Sequence, residues 1–372
     1  MSDVSDSHGG EPELIVEVRG SLGLLTLNRP RALNALTHGM VVMMRAALDE
    51  WAGRDDVLAV AVVGAGERGL CAGGDIVSLH ADARAGGGAA AAAFWSDEYR
   101  LNAAIACYPK PYIALMDGIV LGGGVGISAH GSHRVVTERS RIGMPETGIG
   151  FVPDVGGTWL LSHAPGELGT HLALTGTMIG ADDAIAVGLA DVRVPSRSLA
   201  ELVAALELLD PAVEGDPAAA VDATIAEFAE PAGAAPLLQE RAWTDEAYAS
   251  DDAGVIMGRM RASGNEAANA AADALAARSP SAIAVTLAAL RRSARAGSLE
   301  EALALEFRAA LRALAAPDFA EGVRAQVIDK DRSPRWSPPT LSEVDPAAVE
   351  AAFAPLDEAE RVRFGTGEWE AS

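Results

Sequence analysis

The chain is short of lysine, cysteine and long apolar runs, and each shortage closes off a class of function. Lys110 and Lys330 are the only lysines in 372 residues, and arginine carries the rest of the positive charge. Acidic residues outnumber basic ones so heavily that the formal net charge is −23. Such a chain is repelled by polyanions, which excludes nucleic acid and anionic membrane surfaces as general partners. Cys71 and Cys107 are the only cysteines. Two thiols in this length make neither a disulfide framework nor a cysteine-rich metal site. No uncharged apolar run reaches the roughly 18 residues of a membrane-spanning helix. Met1 to Glu13 shows no basic segment leading into an apolar one and no Arg-rich amphipathic pattern, so a cytoplasmic location is expected.

What is present is a hydrophobic content of 49%, enough for a substantial core. Residues 1–12 read as a disordered tail. Leu14 to Val18 and Leu22 to Leu27 flank Gly20 as a hairpin. Thr37 is placed to cap a helix with Met40, Met44 and Leu48 on one face. Val57 to Val63, Tyr112 to Leu115 and Arg134 to Thr137 read as buried strands, and Ala83 to Ala93 as a mobile Ala/Gly loop running into a helix. Alternating strands and helices predict an α/β layered core over residues 13–199. Residues 200–345 read as mainly helical. Ser279-Pro280 and the Ser298/Glu301 pair mark two helix starts there. Residues 346–372 read as a last helix and an acidic tail.

The most informative stretch is Ile142-Gly-Met-Pro-Glu-Thr-Gly-Ile-Gly-Phe-Val-Pro-Asp-Val-Gly-Gly-Thr158. It sets Glu146 and Asp154 on a segment too rich in Gly and Pro to be one helix. Upstream, Gly122-Gly123-Gly124 can bring bare N–H groups to a ligand. A carboxylate near such donors supplies an acid, base or nucleophile together with a cradle for an oxyanion, which is the equipment of acyl chemistry. Singly, each piece has a plainer reading. Glu146 can be a solvated turn residue, Asp154 and Asp75 can cap helices, and the glycines can serve close packing. Their joint order favours function. Gly64-Ala-Gly66-Glu-Arg-Gly69 follows a strand but runs into another glycine turn rather than a helix, so a dinucleotide site is not indicated. Cys71 reads as a buried small residue rather than a nucleophile. His130 and His133 could share a helix face, but no carboxylate at suitable spacing completes a metal set.

These segments resemble the crotonase, or enoyl-CoA hydratase/isomerase, superfamily from about Leu14 to Leu199. The landmarks are Leu27-Asn-Arg-Pro-Arg-Ala-Leu-Asn-Ala-Leu36, Leu70-Cys-Ala-Gly-Gly-Asp-Ile76, Lys110-Pro-Tyr, Gly118-Ile-Val-Leu-Gly-Gly-Gly124 and Met144-Pro-Glu. The resemblance implies a crotonase-like spiral of ββα units followed by a helical C-terminal region. It implies an acyl-CoA substrate and a thioester oxyanion held by the N–H groups of Gly74 and Gly123. Coenzyme A would run along backbone at Ala32, Leu33, Gly74, Asp75 and Ile76, with Arg31 a candidate for its phosphates. The superfamily tends to form trimers or hexamers, so a homo-oligomer is expected.

Within the superfamily the chain resembles the branch that hydrolyses 3-hydroxyisobutyryl-CoA, a step of valine degradation. Hydratases carry a glutamate two residues after the glycine triplet, where this chain has Gly126, and usually glycine where it has Asp154. Phe319-Ala-Glu-Gly-Val-Arg-Ala-Gln-Val-Ile-Asp-Lys-Asp-Arg-Ser-Pro-Arg-Trp336 and Glu98-Tyr-Arg-Leu-Asn102 match that branch, in which the Glu of the latter reaches substrate. Thr158-Trp159 departs from it and is expected to alter the acyl pocket. The catalytic set implied is Glu146 and Asp154 with the donors of Gly74 and Gly123, and Glu98 as a substrate contact. No metal or redox cofactor is implied. A hydratase or isomerase for another acyl-CoA, and a silent acyl-CoA-binding protein on the same scaffold, are the rival readings.

Overall fold

The computed structural model describes residues 11–85, 87–210, 215–357 and 362–364. The expectations for residues 1–12 and for the acidic tail therefore fall largely outside the described residues. Strands β1 (Leu14–Arg19) and β2 (Leu22–Leu27) form the expected hairpin, antiparallel, with Leu14 opposite Leu27. Beyond β2 the sheet is parallel, through β3 (Ala59–Gly64), β4 (Tyr112–Met116), β6 (His133–Val136) and β8 (Val192–Arg193). Parallel strands are buried on both faces, and β4 accordingly reads Tyr-Ile-Ala-Leu-Met with every residue buried.

A second, smaller layer runs alongside. It contains β5 (Ile119–Leu121) paired with β7 (Arg141–Gly143), and isolated bridges from Cys71 to Val120 and from Leu36 to Gly74. The chain alternates between the layers, with one strand in each and then a helix, in the spiral that the ββα pattern implies. The helix His38–Ala52 shows how the sequence directs this. Thr37 Oγ1 accepts from the Met40 amide at 3.3 Å, and Met40, Met44, Leu48 and Trp51 face the core. Trp51 seats against β2 at Gly23, where a Cβ would lie 2.5 Å from the indole.

Helices follow the core at Leu199–Glu207, Pro217–Phe228, Glu266–Ala276, Pro280–Ser293 and Leu299–Ala315. The last two start where their caps were read. Ser279 Oγ accepts from the Ala282 amide, and Ser298 Oγ from the Glu301 amide.

Three local expectations need correction. Ala83–Ala93 is not a loop: the helices Ile76–Ala85 and Ala89–Ala106 take up most of it, as alanine's helix propensity dictates. The helix opened by the glycine triplet is a single turn, Gly123–Gly126. His130 and His133 share no helix face: His130 is in a turn, bonded to the Val155 carbonyl, and His133 is on β6 beside Asp222.

Two glycine substitutions test the packing. A Cβ on Gly169 would lie 1.7 Å from the Leu161 carbonyl oxygen, so Gly169→Ala should destabilise by about 1–3 kcal/mol or more. Gly258 lies inside the helix Ala253–Ala262 with open space around it, so Gly258→Ala should stabilise by roughly 0.5–1 kcal/mol. Urea denaturation of the two variants should move in opposite directions.

Candidate active site

A cavity of about 310 Å³ opens where the two layers meet the C-terminal region. Its floor is two glycine turns brought face to face. Cys71 bridges Val120, and Gly73 stands so close to the triplet that a Cβ on it would lie 3.3 Å from the Leu121 oxygen and 3.7 Å from the Gly123 nitrogen. A Cβ on Gly123 would lie 3.3 Å from the Gly74 nitrogen. A side chain at Gly73 or Gly123 would crowd the place where the two amides converge. Among the described residues neither the Gly74 nor the Gly123 N–H meets an acceptor. Two adjacent unspent donors at a cavity wall can hold an oxyanion. The helix after Gly122 being one turn long, they act as individual N–H groups and not through a macrodipole.

Three carboxyl groups line this cavity from three elements. Glu98 comes from the helix Ala89–Ala106, Glu146 from the 3-10 turn Glu146–Ile149, and Asp154 from the segment beyond it. All three are buried. Glu98 Oε1 and Glu146 Oε2 have no hydrogen-bond partner. Asp154 Oδ2 accepts from the Tyr99 hydroxyl at 2.8 Å. A Cβ on Gly123 would lie 2.6 Å from Glu98 Oε1, and one on Gly122 would lie 2.7 Å from Glu146 Oε1, so two of the carboxyls flank the bare amides. No arginine, lysine or histidine among the described residues forms an ion pair with any of the three.

Burial therefore decides their protonation. Loss of hydration pushes Glu98 and Glu146 well above the ordinary carboxylate range, and the nearby Asp154 charge pushes both further. Burial raises Asp154 to about 7, against the opposing effect of the Tyr99 hydroxyl. A carboxyl poised near neutrality is suited to proton transfer. Cys71 goes the other way for chemistry: burial pushes its thiol up to about 12, which leaves it inert.

The walls are apolar. Phe94, Trp95, Leu121, Ile149, Phe151 and Val155 face the space, with Trp95 and Phe151 stacked at 5.2 Å. Gln326 and Val327 of the C-terminal signature line it as well. That signature also braces the Glu146 turn: a Cβ on Gly322 would lie 2.4 Å from the Ile149 backbone, and one on Gly150 2.4 Å from that of Asp318.

Other predicted residues sit differently. Gly74 and Ile76 line the cavity, whereas Ala32, which is exposed, and the half-buried Leu33 and Asp75 do not. The Ala72 amide donates to the Leu33 carbonyl, and Arg29 pairs with Asp75 at 2.9 Å. Asp75 Oδ1 also caps the helix Ile76–Ala85 through the Ser78 amide. Asp154 does not cap a helix. That position is taken by Glu306, which accepts from the Gly156 and Thr158 amides. Thr158 faces Glu306 and Ser293 rather than the cavity, so its departure from the branch pattern does not shape the acyl pocket. Tyr99, Glu306 and the cavity-lining Arg278 were not singled out by sequence. The signal for Glu306 was present: it is an acidic residue on the stripe Ala302, Leu303, Phe307, Ala310 of an amphipathic helix.

The layered parallel sheet and the helices that close over this cavity form a crotonase fold. The chain belongs to the enoyl-CoA hydratase/isomerase family, whose model, described as Enoyl-CoA hydratase/isomerase, matches residues 22–353. It is 39% identical over 348 residues to a protein of Danio rerio named 3-hydroxyisobutyryl-CoA hydrolase, mitochondrial, covering 93% of this chain and 90% of that one. The Rattus norvegicus protein of the same name is 36% identical over 350 residues, 94% and 90% of the two chains. Among solved structures, one from Mycobacterium thermoresistibile described as a carnitinyl-CoA dehydratase matches with TM-score 0.89 and 49% identity, covering 95% of this chain and 99% of its own. One from Rhodobacter sphaeroides described as an enoyl-CoA hydratase matches with TM-score 0.85 and 42% identity, covering 95% and 100%. No helix of the described residues is long and apolar enough to cross a membrane.

The carboxyls set a pH dependence of stability. Glu98, Glu146, Asp154 (about 7) and Glu306 (about 8) are all raised, so they stabilise the fold fully below their unfolded values and lose that contribution as pH climbs through the folded ones. His130 and His171, lowered by burial to about 4, stabilise above their unfolded value near 6.5 and lose this as pH falls toward 4. Above the histidine range the raised carboxyls set the slope, joined toward pH 9 by Cys71, raised in the same sense, and opposed by Lys110, lowered by burial. The melting temperature of the free protein should fall as pH rises from 6.5 to 9, and Asp154→Asn should reduce the fall. A flat or rising profile would contradict these shifts.

Proposed function

We propose that the protein hydrolyses the thioester of a 3-hydroxyacyl-CoA, 3-hydroxyisobutyryl-CoA foremost, to the free 3-hydroxy acid and CoA, a step of valine degradation. The observation that carries the choice of hydrolysis over hydration is Gly126. A Cβ there would lie 2.6 Å from Val155 Cβ and 2.9 Å from Asn102 Nδ2, so the first hydratase glutamate has no room without displacing the segment that bears Asp154. Both remaining carboxylates of the pair, Glu146 and Asp154, line the cavity. The names of the Danio rerio and Rattus norvegicus relatives support the same substrate.

In this reading the thioester oxygen lies between the Gly74 and Gly123 amides. Those donors strengthen as the carbonyl becomes an oxyanion. Glu146, beside Gly122, acts at the carbonyl carbon as nucleophile or base. Asp154, held by Tyr99, positions water or the 3-hydroxyl, and Glu98 contacts the substrate beside Gly123. Coenzyme A passes Gly74 and Ile76 toward Ala32, Leu33 and Asp75. No metal or redox group enters the reaction. We place the protein in the cytoplasm, although its relatives bear mitochondrial names, and expect a homo-oligomer, testable by fractionation and by light scattering.

One observation favours a second reading. Glu98 gives the cavity another carboxyl of raised affinity for protons, and the 49%-identical structure is described as a dehydratase. Loss of water from a 3-hydroxyacyl-CoA could use such a group. The two readings separate on one panel of acyl-CoAs. Hydrolysis releases free thiol from 3-hydroxyisobutyryl-CoA and leaves crotonyl-CoA unhydrated. Dehydration gives enoyl-CoA and no thiol, and binding without turnover of any kind would leave only the silent scaffold. Glu146→Gln should lower the kcat of thiol release by roughly 10²–10⁴-fold with acyl-CoA binding kept. Full activity in a folded Glu146→Gln protein would remove the centre of the mechanism.

A further inference from the structure

Asp154 opens a strained turn, closed by the Gly157 amide donating to the Asp154 carbonyl at 2.6 Å and by the His130 ring on the Val155 carbonyl at 2.8 Å. Val155, the next residue, has φ of 52°, and Gly156 has φ of 79°. A left-handed conformation at a β-branched residue is strained and persists only where the surroundings impose it. Gly156 stands 2.4 Å, by its would-be Cβ, from the His130 ring, so no larger residue could relieve the turn. The helix Gly157–Ser162 that follows has no side-chain cap of its own from its flanking glycine.

What ties this turn to the C-terminal region is Glu306. It lies on the helix Leu299–Ala315, some 150 residues further along the chain, and is wholly buried. One carboxyl oxygen accepts from the Gly156 amide at 2.7 Å. The other accepts from the Thr158 amide at 2.9 Å and from Thr158 Oγ1 at 2.5 Å. Thr158 Oγ1 also bonds Ser293 Oγ at 2.7 Å, which ties the knot to the helix Pro280–Ser293. No cation among the described residues pairs with Glu306, and burial raises it to about 8. A carboxyl kept in the core without a cation, only to satisfy a short helix, is a costly device where a serine or asparagine cap would serve. The neighbouring residue gives the reason for its place. Phe307 packs edge-on against the Tyr99 ring at 5.9 Å and 81°, and Tyr99 is the residue that donates to Asp154.

We infer that Glu306 is a positioning residue for Asp154: it clamps the Val155–Thr158 turn from one side while Phe307, beside it, sets the Tyr99 hydroxyl on the other. The C-terminal helix thereby fixes both the backbone and the side-chain oxygen of Asp154 without touching substrate. Sub-ångström placement of such a group is worth large factors in rate, and loosening it should lower turnover more than binding. This inference rests on the proposed role of Asp154 and concerns how that residue is held.

The test is a double-mutant cycle on the acyl-CoA that the wild-type protein turns over fastest, so that a different substrate or a dehydratase activity would correct the functional reading and leave the cycle usable. Glu306→Gln should lower kcat by roughly 10- to 100-fold with KM changed less than about threefold. In an Asp154→Asn background the same change should cost less than about twofold, because the residue it positions is already disabled. Equal losses in the two backgrounds would make Glu306 merely structural and overturn the inference. Thr158→Val removes only the hydroxyl donor and should reproduce the pattern at smaller amplitude should Glu306→Gln not fold. Where Asp154→Asn leaves no measurable rate, the kcat against KM split decides: a rise in KM with unchanged kcat, for either variant, overturns the inference equally.

Discussion

Desolvation of carboxyl groups is the constraint on which this structure turns. Four of them, Glu98, Glu146, Asp154 and Glu306, are buried within one region and none is paired with a cation among the described residues. Burying an ion without a partner costs several kcal/mol, and a protein normally avoids it by protonating the group or surrounding it with donors. Here the two solutions are divided. Glu306 is given three donors and does structural work on a turn. The three cavity carboxyls receive one hydrogen bond from a side chain between them, from Tyr99. Their surroundings raise their affinity for protons, so the cost of burying them appears as acid–base reactivity.

The same logic explains the glycines. The proposed oxyanion site needs N–H groups with no internal acceptor, and a Cβ on Gly123 would crowd the Gly74 nitrogen at 3.3 Å. The bare donors and the underhydrated carboxyls are complementary. In the proposed hydrolysis the donors gain a partner as the thioester oxygen becomes negative, while Glu146 attacks the carbonyl carbon or takes a proton from the attacking water. Both changes would belong to the transition state and not to the resting enzyme, which is the condition for catalysis rather than tight binding.

Legibility in the sequence followed locality. Buried parallel strands such as Tyr112–Met116 announce themselves as apolar runs, and Thr37, Ser279 and Ser298 mark helix starts because a cap bonds within three residues of itself. The Ala83–Ala93 segment was misread because low complexity and glycine outweighed alanine's helix propensity. At the site, Gly74, Gly123, Glu146 and Asp154 were legible because their chemistry lies in short glycine-rich motifs. Tyr99 was hidden in plain view beside Glu98. Its meaning depends on Asp154, 55 positions away, and no local pattern encodes that. Thr158 reads as a pocket residue because Thr158-Trp159 departs from the branch pattern, yet the turn at Val155 and Gly156 rotates its side chain into the core.

The C-terminal region is the part whose purpose could least be inferred from pattern, and it braces the segments that bear the cavity carboxyls. Gly322 and Asp318 press on the turn of Glu146, and Glu306 and Phe307 on the surroundings of Asp154. Each cavity carboxylate of the pair is thus braced from a separate C-terminal helix. The position two residues after the glycine triplet is Gly126, packed against Val155, and the cavity carboxyl Asp154 stands instead on a strained turn held by the His130 ring and by Glu306. A carboxyl on a turn depends on its supports more than one on a helix, and the helices Leu299–Ala315 and Pro317–Val323 add supports from outside the core. The long C-terminal region and the cavity carboxyls thus form one unit, and loosening the first should cost the second their placement.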